Sequence, residues 1–391
     1  MLRILSRPAL REWVWAVALL VSTTAMALAP QEAMAGARTG LTLCGNVIIP
    51  SLFPFLILSA LVVQLGLAAK LGRILGPIMS PLFRINGSCA CALVLGFIGG
   101  YPVGARTAID LYRKGLCTRE EAQRLLAFCN NSGPAFILGV VGAGIFSDGR
   151  VGLLLYLTHA LASLCVGLLF RFSGVREKVS NPAPPPHIGA VRFSSAFTGS
   201  VSSALQSCLN ICAFVMFFSV LLSLLDTFGI LAASARSLTL LLSPLGMTEE
   251  WARRLLTGLL EVSSGVWSLS GSGTLNGKLS MAAFMLGWAG ISVHCQVLSF
   301  LSESDLSIRT YLIGKALHGL LSAILTALVL RFLPFSSPAS YYLSDAVEIM
   351  ANLDFATVFL TSTLTAAAAF LLFLLFPGHF RKKAVEKARE K

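Results

Sequence analysis

Long uninterrupted runs of apolar residues dominate the pattern of this chain, where a soluble helix would alternate an apolar face with a polar one. Residues 151–170 and 356–376 are two such runs, each long enough to cross a hydrocarbon layer of about 30 Å. Comparable runs bring the predicted number of full membrane spans to about six, the others being 13–28, 46–67, 201–225 and 311–332. The pattern therefore predicts an all-α polytopic membrane protein.

Composition supports this prediction and narrows the function. The chain is 55% hydrophobic and 12% charged, whereas soluble domains have about 25% charged residues. Its 30 Lys and Arg against 18 Asp and Glu give a net charge of +12, but the basic residues concentrate at 381–391 and in short connecting segments. That distribution indicates membrane orientation and argues against nucleic-acid binding. The nine cysteines lack C-x-x-C spacing, so we expect no disulfide framework, no metal site and no cofactor.

Four short matches between distant parts of the chain indicate an internal repeat. Their offset drifts slowly, from 164 positions to 159, and their order is the same in both copies. The pairs are CGNV 44–47 with CLNI 208–211, LAA 67–69 with 231–233, SPL 80–82 with 243–245, and HALAS 159–163 with HGLLS 318–322. A common order favours duplication over chance.

The distribution of Lys and Arg predicts that the two repeats have opposite orientations. Residues 335–354 hold no Lys or Arg and should lie outside, while the basic N-terminus and the tail 381–391 should both be cytoplasmic. On that basis Asn46 lies on an inward-running span and its counterpart Asn210 on an outward-running one. The halves are therefore predicted to form an inverted repeat.

The predicted organisation has seven parts. The first is an N-terminal span; residues 33–35 (AMA) resemble a signal-peptidase site, which leaves a cleaved signal peptide as the alternative. In chain order the parts are the N-terminal span 1–40, a first repeat 41–172, a basic Pro-rich cytoplasmic linker 173–199, a second repeat 200–334, an external loop 335–354, a last span 355–376 and a basic cytoplasmic tail 377–391.

Each repeat also contains apolar segments that glycine, proline and serine interrupt. They are 88–104 and 129–146 in the first repeat and 255–269 and 279–301 in the second. Open backbone at membrane depth survives only where it is buried in protein or lines a cavity. Interrupted segments at matching places in inverted halves point to a transporter's binding site. We therefore predict two re-entrant hairpins, one entering from each side of the membrane.

Two interrupted motifs of the first repeat are candidate binding elements. Residues 99–106 (GGYPVGAR) place backbone N–H groups and Arg106 where an anion could bind. The alternative is a tight turn with Arg106 reaching the cytoplasmic surface. Residues 130–134 (NNSGP) have the pattern of a helix start, which is a cap in structural terms and a place to hold a carboxylate in functional terms.

Further candidates come from polar residues in apolar surroundings. Glu261 follows an apolar stretch and precedes a Ser-Ser-Gly break, so it is a candidate proton relay, cation ligand or substrate contact; the alternative is a surface position that faces water. Asn46 and Asn210 match across the repeat, as do two histidines, and either set could line a substrate path or make interhelical hydrogen bonds. His294 and Gln296 could contribute from the second hairpin.

Motifs for the common enzyme classes are absent from the sequence. It has no H-E-x-x-H, no G-x-S-x-G and no P-loop. We therefore expect a protein that is not an enzyme and that does not drive transport with a nucleoside triphosphate.

The motifs together resemble one family, the YlbJ-type sporulation integral membrane proteins of the nucleoside-recognition or Gate domain superfamily. Relatives in that superfamily include concentrative nucleoside transporters and the gate regions of ferrous-iron transporters. The resemblance covers about residues 40–376, and the motifs that show it are CGN 44–46, FPF 53–55, GGYPVG 99–104, CNNSGP 129–134 and EVSSG 261–265.

The resemblance implies a multi-pass protein of the cell membrane of a spore-forming bacterium, in a sporulation-specific membrane. It implies a transporter or channel for a small organic anion, dipicolinate, which is a planar dianion. Glu261 fits that substrate only if it is protonated or binds a coupling cation. A nucleoside or another small solute is the alternative substrate, and a non-transporting scaffold in the spore envelope is the alternative function.

The predicted partners are a small anionic solute and the lipid bilayer, without nucleic acid; a homo-oligomer or other sporulation membrane proteins remain open. The predicted substrate-binding residues share a position at or beside a helix break or a repeat match. They are Asn46, Gly99, Gly100, Tyr101, Pro102, Gly104, Arg106, Asn130, Asn131, Ser132, Gly133, Asn210, Glu261, Ser263, Ser264, Gly265, Ser292 and Gln296.

Overall fold

The computed structural model describes residues 8–65, 67–173, 193–302 and 304–332, and in these ranges every regular element is helical. The first half has eight α-helices: α1 (Pro8–Leu28), α2 (Pro30–Leu43), α3 (Ile49–Gln64), α4 (Leu67–Phe83), α5 (Ala90–Gly99), α6 (Val103–Arg113), α7 (Arg119–Leu126) and α8 (Gly149–Phe170). A π-helical segment, Cys44–Ile48, joins α2 to α3, and a second one, Ala135–Ile145, lies between α7 and α8.

The second half has seven α-helices in the described residues. They are α9 (Phe193–Thr227), α10 (Ile230–Leu242), α11 (Glu249–Leu260), α12 (Val262–Trp267), α13 (Leu275–Trp288), α14 (Gly290–Leu301) and α15 (Ile308–Phe332). Polar N-caps begin those that follow loops: Thr248 accepts a hydrogen bond from a backbone N–H of α11, and Thr274 does the same for α13.

The continuous helix from α2 to α3 packs along its repeat counterpart α9 in the opposite direction. Ser223 Oγ donates to the carbonyl of Glu32, and further along Cys44 Sγ donates weakly to the carbonyl of Cys212. A Cβ added at Gly36 or Gly40 would approach the backbone of α9 within 2.9 Å. Rising numbers on one helix thus meet falling numbers on the other. Antiparallel packing of repeat counterparts is the arrangement that an inverted repeat requires.

The prediction of an all-α polytopic membrane protein is confirmed. By length and composition, four described helical stretches could cross a membrane, and two bent helix pairs would bring the number to six. The stretch Leu275–Leu301 is one of the four, although its sequence suggested a hairpin limb. The break at Ala289 and Gly290 divides this stretch, but the two helices together still cover 27 residues, which is long enough to cross a membrane. The predicted last span 355–376, the loop 335–354 and the tail 377–391 lie outside the described residues.

Two helix starts differ from the predicted boundaries. Helix α2 begins at Pro30, so the predicted span 46–67 is the second part of a longer helical run, whose α2 portion the weaker apolar pattern of residues 30–43 concealed. Helix α9 begins at Phe193, inside the predicted linker 173–199, because polar Ser and Thr residues there read as linker although they face outward on a helix.

Glycine permits the closest packing beside the first helix break. A Cβ added at Gly96 or at Gly104 would lie 1.9 Å from the carbonyl oxygen of Cys129, a distance that no side chain can occupy. The chain that enters the break at 130–133 therefore passes between α5 and α6 with no space to spare. Gly104 is thus a packing residue in the structure.

Gly104→Ala is therefore expected to lower the yield of folded protein strongly, because overpacking by a methyl group typically costs about 1–3 kcal/mol and here meets rigid backbone. Detergent-solubilised protein and its melting temperature measure the effect. Gly149→Ala is the matched control, since an added Cβ at Gly149 meets nothing within 4 Å. Equal melting temperatures for the two variants would contradict the packing role.

Candidate functional site

Each half contains two helix breaks, and in each half the two breaks touch. In the first half the break at Gly100, between α5 and α6, meets the break before the π-helical segment Ala135–Ile145. A Cβ added at Gly100, whose φ is +77°, would lie 2.8 Å from the backbone nitrogen of Gly133. In the second half a Cβ added at Gly290, φ +81°, would lie 3.0 Å from the backbone nitrogen of Val262. Glycine is required at both crossings for conformation and for space.

One cavity lies between the two crossings and takes lining residues from both halves. It encloses about 640 Å³ of empty space, the open solvent at its mouth included. Its lining residues are Ile48, Ile98, Gly99, Gly100, Tyr101, Ser132, Gly133, Phe136, Ile211, Val215, Glu261, Val262, Ser263, Ser292, Val293 and Gln296.

Side-chain donors from neighbouring helices cover carbonyl oxygens at three of the breaks. Tyr156 Oη donates to the carbonyl of Phe97 at 3.2 Å, near the end of α5. Trp288 Nε1 donates to the carbonyl of Leu259 at 3.1 Å, near the end of α11. Lys315 Nζ donates to the carbonyl of Asn130 at 2.9 Å, at the second break of the first half. Backbone acceptors that the breaks release are thus satisfied inside the protein, as membrane depth requires.

Glu261 is the acidic residue of the cavity wall, and its side chain forms the N-cap of α12. The residue is 1% exposed, which excludes the interpretation as a surface residue that faces water. Its carboxylate oxygens accept hydrogen bonds from the backbone N–H groups of Ser263, at 3.0 Å, and Ser264, at 2.6 Å. The carboxylate therefore occupies the positive end of this helix, where the anion of a substrate could otherwise bind.

Lys315 on α15 places an amine behind the first-half break. Its side chain is fully buried, and its Nζ donates to the carbonyl of Asn130 at 2.9 Å and to Nδ1 of His318 at 3.3 Å. Nε2 of His318 donates in turn to the carbonyl of His159 at 2.9 Å, which leaves Nδ1 of His318 to accept from Lys315. Among the described residues no carboxylate lies within 4.0 Å of the Nζ atom of Lys315.

His159 connects this buried group to the cavity wall. Its Nε2 accepts a hydrogen bond from the backbone N–H of Ser132 at 3.0 Å, so its proton is on Nδ1. Its ring lies 4.3 Å from the ring of His318, centroid to centroid. The two matched histidines of the repeat thus support the break from behind, which is the structural alternative considered for them.

Three hydroxyl groups of the cavity wall have no well-formed hydrogen bond in the described part of the chain, and two of them, those of Tyr101 and Ser132, lie beside each other. The three belong to Tyr101, Ser132 and Ser292. Ser132 and Ser292 are both completely buried. Because buried polar groups in proteins are almost always hydrogen-bonded, such hydroxyl groups indicate that a ligand or water satisfies them.

The structure brings nine of the eighteen predicted site residues together in this cavity. They come from all four breaks: Gly99, Gly100, Tyr101, Ser132, Gly133, Glu261, Ser263, Ser292 and Gln296. The tip of the first hairpin and the residues after Glu261 therefore face the same space, as the sequence predicted for the two hairpins. Their role in binding stays a prediction.

Five other predicted residues support the breaks from outside the cavity lining. Asn131 donates to the carbonyl of Phe128, and Asn130 donates to Tyr311 Oη at 3.2 Å. Pro102 is the N-cap residue of α6. Ser264 lends its backbone N–H to Glu261, and a Cβ at Gly265 would lie 2.3 Å from Gly258 Cα.

Arg106, predicted to bind an anion, is not among the cavity-lining residues. Its guanidinium donates to the backbone carbonyl of Ser203 on α9 at 3.3 Å and to the hydroxyl of the same residue. It also lies 3.8 Å from Asp110, one turn further along α6. The half-buried Arg106 therefore joins α6 to the second half.

The matched asparagines also lie away from the cavity. Asn46 and Asn210 are exposed, while Cys44 and Cys208, two positions before each, are buried in the contact between their helices. Two residues along a helix correspond to a rotation of about 200°. The match across the repeat therefore reflects the duplication of the helix, and the asparagine side chains face away from the contact.

Sequence reasoning missed Lys315 and Tyr311. Lys315 lies within the apolar run 311–332, and a lone lysine in a membrane span is a recognisable signal. Tyr311 bridges Asn130 to His294, whose Nδ1 lies 3.0 Å from its hydroxyl. No pattern in the sequence indicates that bridge, because it depends on how α14 and α15 pack on the first half.

Comparison with known proteins agrees with this architecture. A family model described as "Nucleoside recognition" (Gate) matches residues 47–174. The chain is also 32% identical, over 322 residues, to the sporulation integral membrane protein YlbJ of Bacillus subtilis (strain 168), with 77% of this chain and 78% of that protein covered. The chain belongs to the YlbJ family of sporulation integral membrane proteins. No solved structure matches it.

Membership in the YlbJ family confirms the predicted resemblance and makes this a multi-pass sporulation membrane protein. The Gate match covers α3 to α8 and therefore includes both breaks of the first half. The second half has a corresponding pair of breaks on the other side of the cavity.

Proposed function

We propose that this YlbJ-family protein is a secondary transporter or channel for a small planar organic anion, with dipicolinate as the substrate to test first. The observation that supports the proposal best is the cavity between two helix crossings at matching places in the two halves. Discontinuous helices that meet between inverted repeats form the substrate sites of many secondary transporters. A scaffold protein does not need buried, unpartnered hydroxyl groups around a cavity.

The buried charges are compatible with an anion that has a balancing positive charge nearby. As a carboxylate, Glu261 contributes a negative charge that α12 compensates, and Lys315, when protonated, contributes a positive charge beside the break that holds Ser132. A substrate carboxylate is therefore expected at the Ser132 side of the cavity, nearer to Lys315 than to Glu261. A proton or cation bound with the substrate would reduce the remaining repulsion from Glu261.

Transport also needs contacts between the halves that can form and break. Asp305, in the loop between α14 and α15, accepts a hydrogen bond from Tyr112 Oη at 2.7 Å and pairs with Arg119 at 2.9 Å. The hydrogen bond from Tyr112 lowers the pKa of the Asp305 carboxyl from its ordinary value. Because these groups are exposed, the contact is weak enough to open during a transport cycle.

A nucleoside is the second candidate substrate, favoured by the description of the matching family model. Its ribose and base offer several donors and acceptors that could satisfy the hydroxyl groups of Tyr101, Ser132 and Ser292. The cavity's one acidic side chain would not repel an uncharged nucleoside. The two candidates differ in charge, and therefore in their expected dependence on Lys315.

A counterflow assay with purified protein in lipid vesicles tests the proposal. Vesicles preloaded with unlabelled dipicolinate should take up labelled dipicolinate faster than protein-free vesicles, and the rate should saturate. Counterflow needs no knowledge of the driving gradient, provided that both sides contain Na⁺ at equal pH. Labelled uridine in parallel vesicles tests the second candidate. Uptake of neither solute above the protein-free rate would contradict transport of these solutes and favour the scaffold.

A further inference from the structure

Ser132 and Ser292 each lie at the second break of their half and are related by the offset of the repeat. They are 160 positions apart, within the range of 159 to 164 that relates the matched segments of the repeat. Ser132 precedes the π-helical segment Ala135–Ile145 at the first-half break, and Ser292 lies at the start of α14, after the second-half break. Each is thus the serine at the second broken helix of its half.

The environments of the two serines are similar in three respects. Both side chains are completely buried, neither hydroxyl group has a well-formed hydrogen bond in the described residues, and both residues line the same cavity. The hydroxyl of Ser132 also has that of Tyr101 beside it. Other buried serines differ in one of these respects. Ser163 donates to the carbonyl of Phe128 at 2.6 Å, and Ser322 is unpartnered but does not line the cavity.

Two hydroxyl groups that face one cavity from opposite halves favour a ligand with two polar ends. Inverted repeats are related by a pseudo-two-fold axis, and a ligand between two related donors can place one polar end on each. We propose that Ser132 and Ser292 form a paired substrate contact, one serine for each end of a small solute with two carboxylates. This inference rests on the proposed function and adds the residues that select the substrate.

Other groups of the cavity wall make the pair only approximately symmetric. Tyr101 lies on the first-half side and Glu261 on the second, and Lys315 stands behind the first-half break alone. These groups make the Ser132 side the stronger carboxylate site. They do not supply a second unpartnered serine, so the pairing depends on Ser132 and Ser292.

Binding of one diacid and one monoacid to purified protein tests the pairing. The probes are pyridine-2,6-dicarboxylate and pyridine-2-carboxylate, and the variants are Ser132→Ala, Ser292→Ala and the double variant. Each single change should weaken the diacid about tenfold, because each removes one hydrogen bond to a charged group. The double variant should lose about the product of the two effects.

The monoacid should respond differently, because its single carboxylate can bind at either serine. Each single variant removes one of two binding orientations, so the affinity should fall by only about twofold to fivefold, with Ser132→Ala the larger effect. The double variant should then lose about tenfold or more. Ser322→Ala is the matched control for a buried, unpartnered hydroxyl and should bind both acids as the unchanged protein does.

Three results decide the matter. The pairing is supported if both single variants weaken binding of the diacid about tenfold and weaken binding of the monoacid less. If one serine variant abolishes binding of the diacid and the other leaves it unchanged, the pairing is overturned while the proposed function survives. Failure of the unchanged protein to bind either acid overturns the proposed anionic substrate and the pairing together. All variants should keep the melting temperature of the unchanged protein, since an unpartnered hydroxyl adds no stabilising hydrogen bond.

Discussion

Lys315→Met is expected to reduce transport about tenfold or more and to lower the stability of the folded protein. Methionine is one atom shorter than lysine and similarly unbranched, but it leaves the carbonyl of Asn130 and Nδ1 of His318 without their donor. A buried acceptor left unsatisfied costs about 1–3 kcal/mol. Removal of a buried ammonium group offsets part of that cost, so we expect a net loss of about 2 kcal/mol.

The effect on transport has a second cause, which is the loss of positive charge beside Ser132. Lys278→Met is the matched control, because Lys278 also donates to a backbone carbonyl, that of Gly271 at 2.8 Å, but outside the cavity. Counterflow rates and melting temperatures separate the two effects. A Lys315→Met protein that melts lower yet transports dipicolinate at the normal rate would reduce Lys315 to a structural support. A loss for dipicolinate with normal uridine uptake would establish the charge effect.

The sequence allowed the fold to be predicted well where a one-dimensional signal determines it. Apolar runs identified α8, α9 and α15 within a few residues of their ends, except at the start of α9, because membrane spans need long apolar stretches. The helix breaks were equally predictable, because glycine, proline and serine visibly interrupt an apolar run. The extent of α2 was hidden, since residues 30–43 are only weakly apolar and pack through Gly36 and Gly40.

The candidate site was predictable only as far as the chain interruptions define it. Residues at the breaks, such as Tyr101 and Ser292, line the cavity because the breaks themselves meet there. The direction in which a side chain points cannot be read from a repeat match, which is why Asn46 and Asn210 were included although they are exposed. Arg106 illustrates the same limit, because its partner Ser203 lies 97 positions away and only tertiary packing brings them together.

Glu261→Gln is expected to separate gradient-driven accumulation from substrate exchange. Glutamine matches the shape of a protonated glutamate, so the cavity keeps its form, but the side chain can no longer exchange a proton or bind a cation by charge. We therefore expect normal counterflow of the substrate and loss of its accumulation against a gradient. A modest loss of stability, about 1–3 kcal/mol, should accompany the change, because the amide has one oxygen for the two N–H groups of Ser263 and Ser264.

Glu249→Gln provides the matched control on α11, since Glu249 is exposed in the first turn of that helix and away from the cavity. Accumulation driven by a proton gradient and by a Na⁺ gradient should be measured separately for both variants. Because a carboxylate that only caps α12 has no part in coupling, unchanged accumulation in Glu261→Gln, together with a lower melting temperature, would limit Glu261 to the capping role. Loss of accumulation with one gradient alone would instead identify the coupling ion. Removal of the carboxylate charge should abolish coupling only to the ion that Glu261 binds.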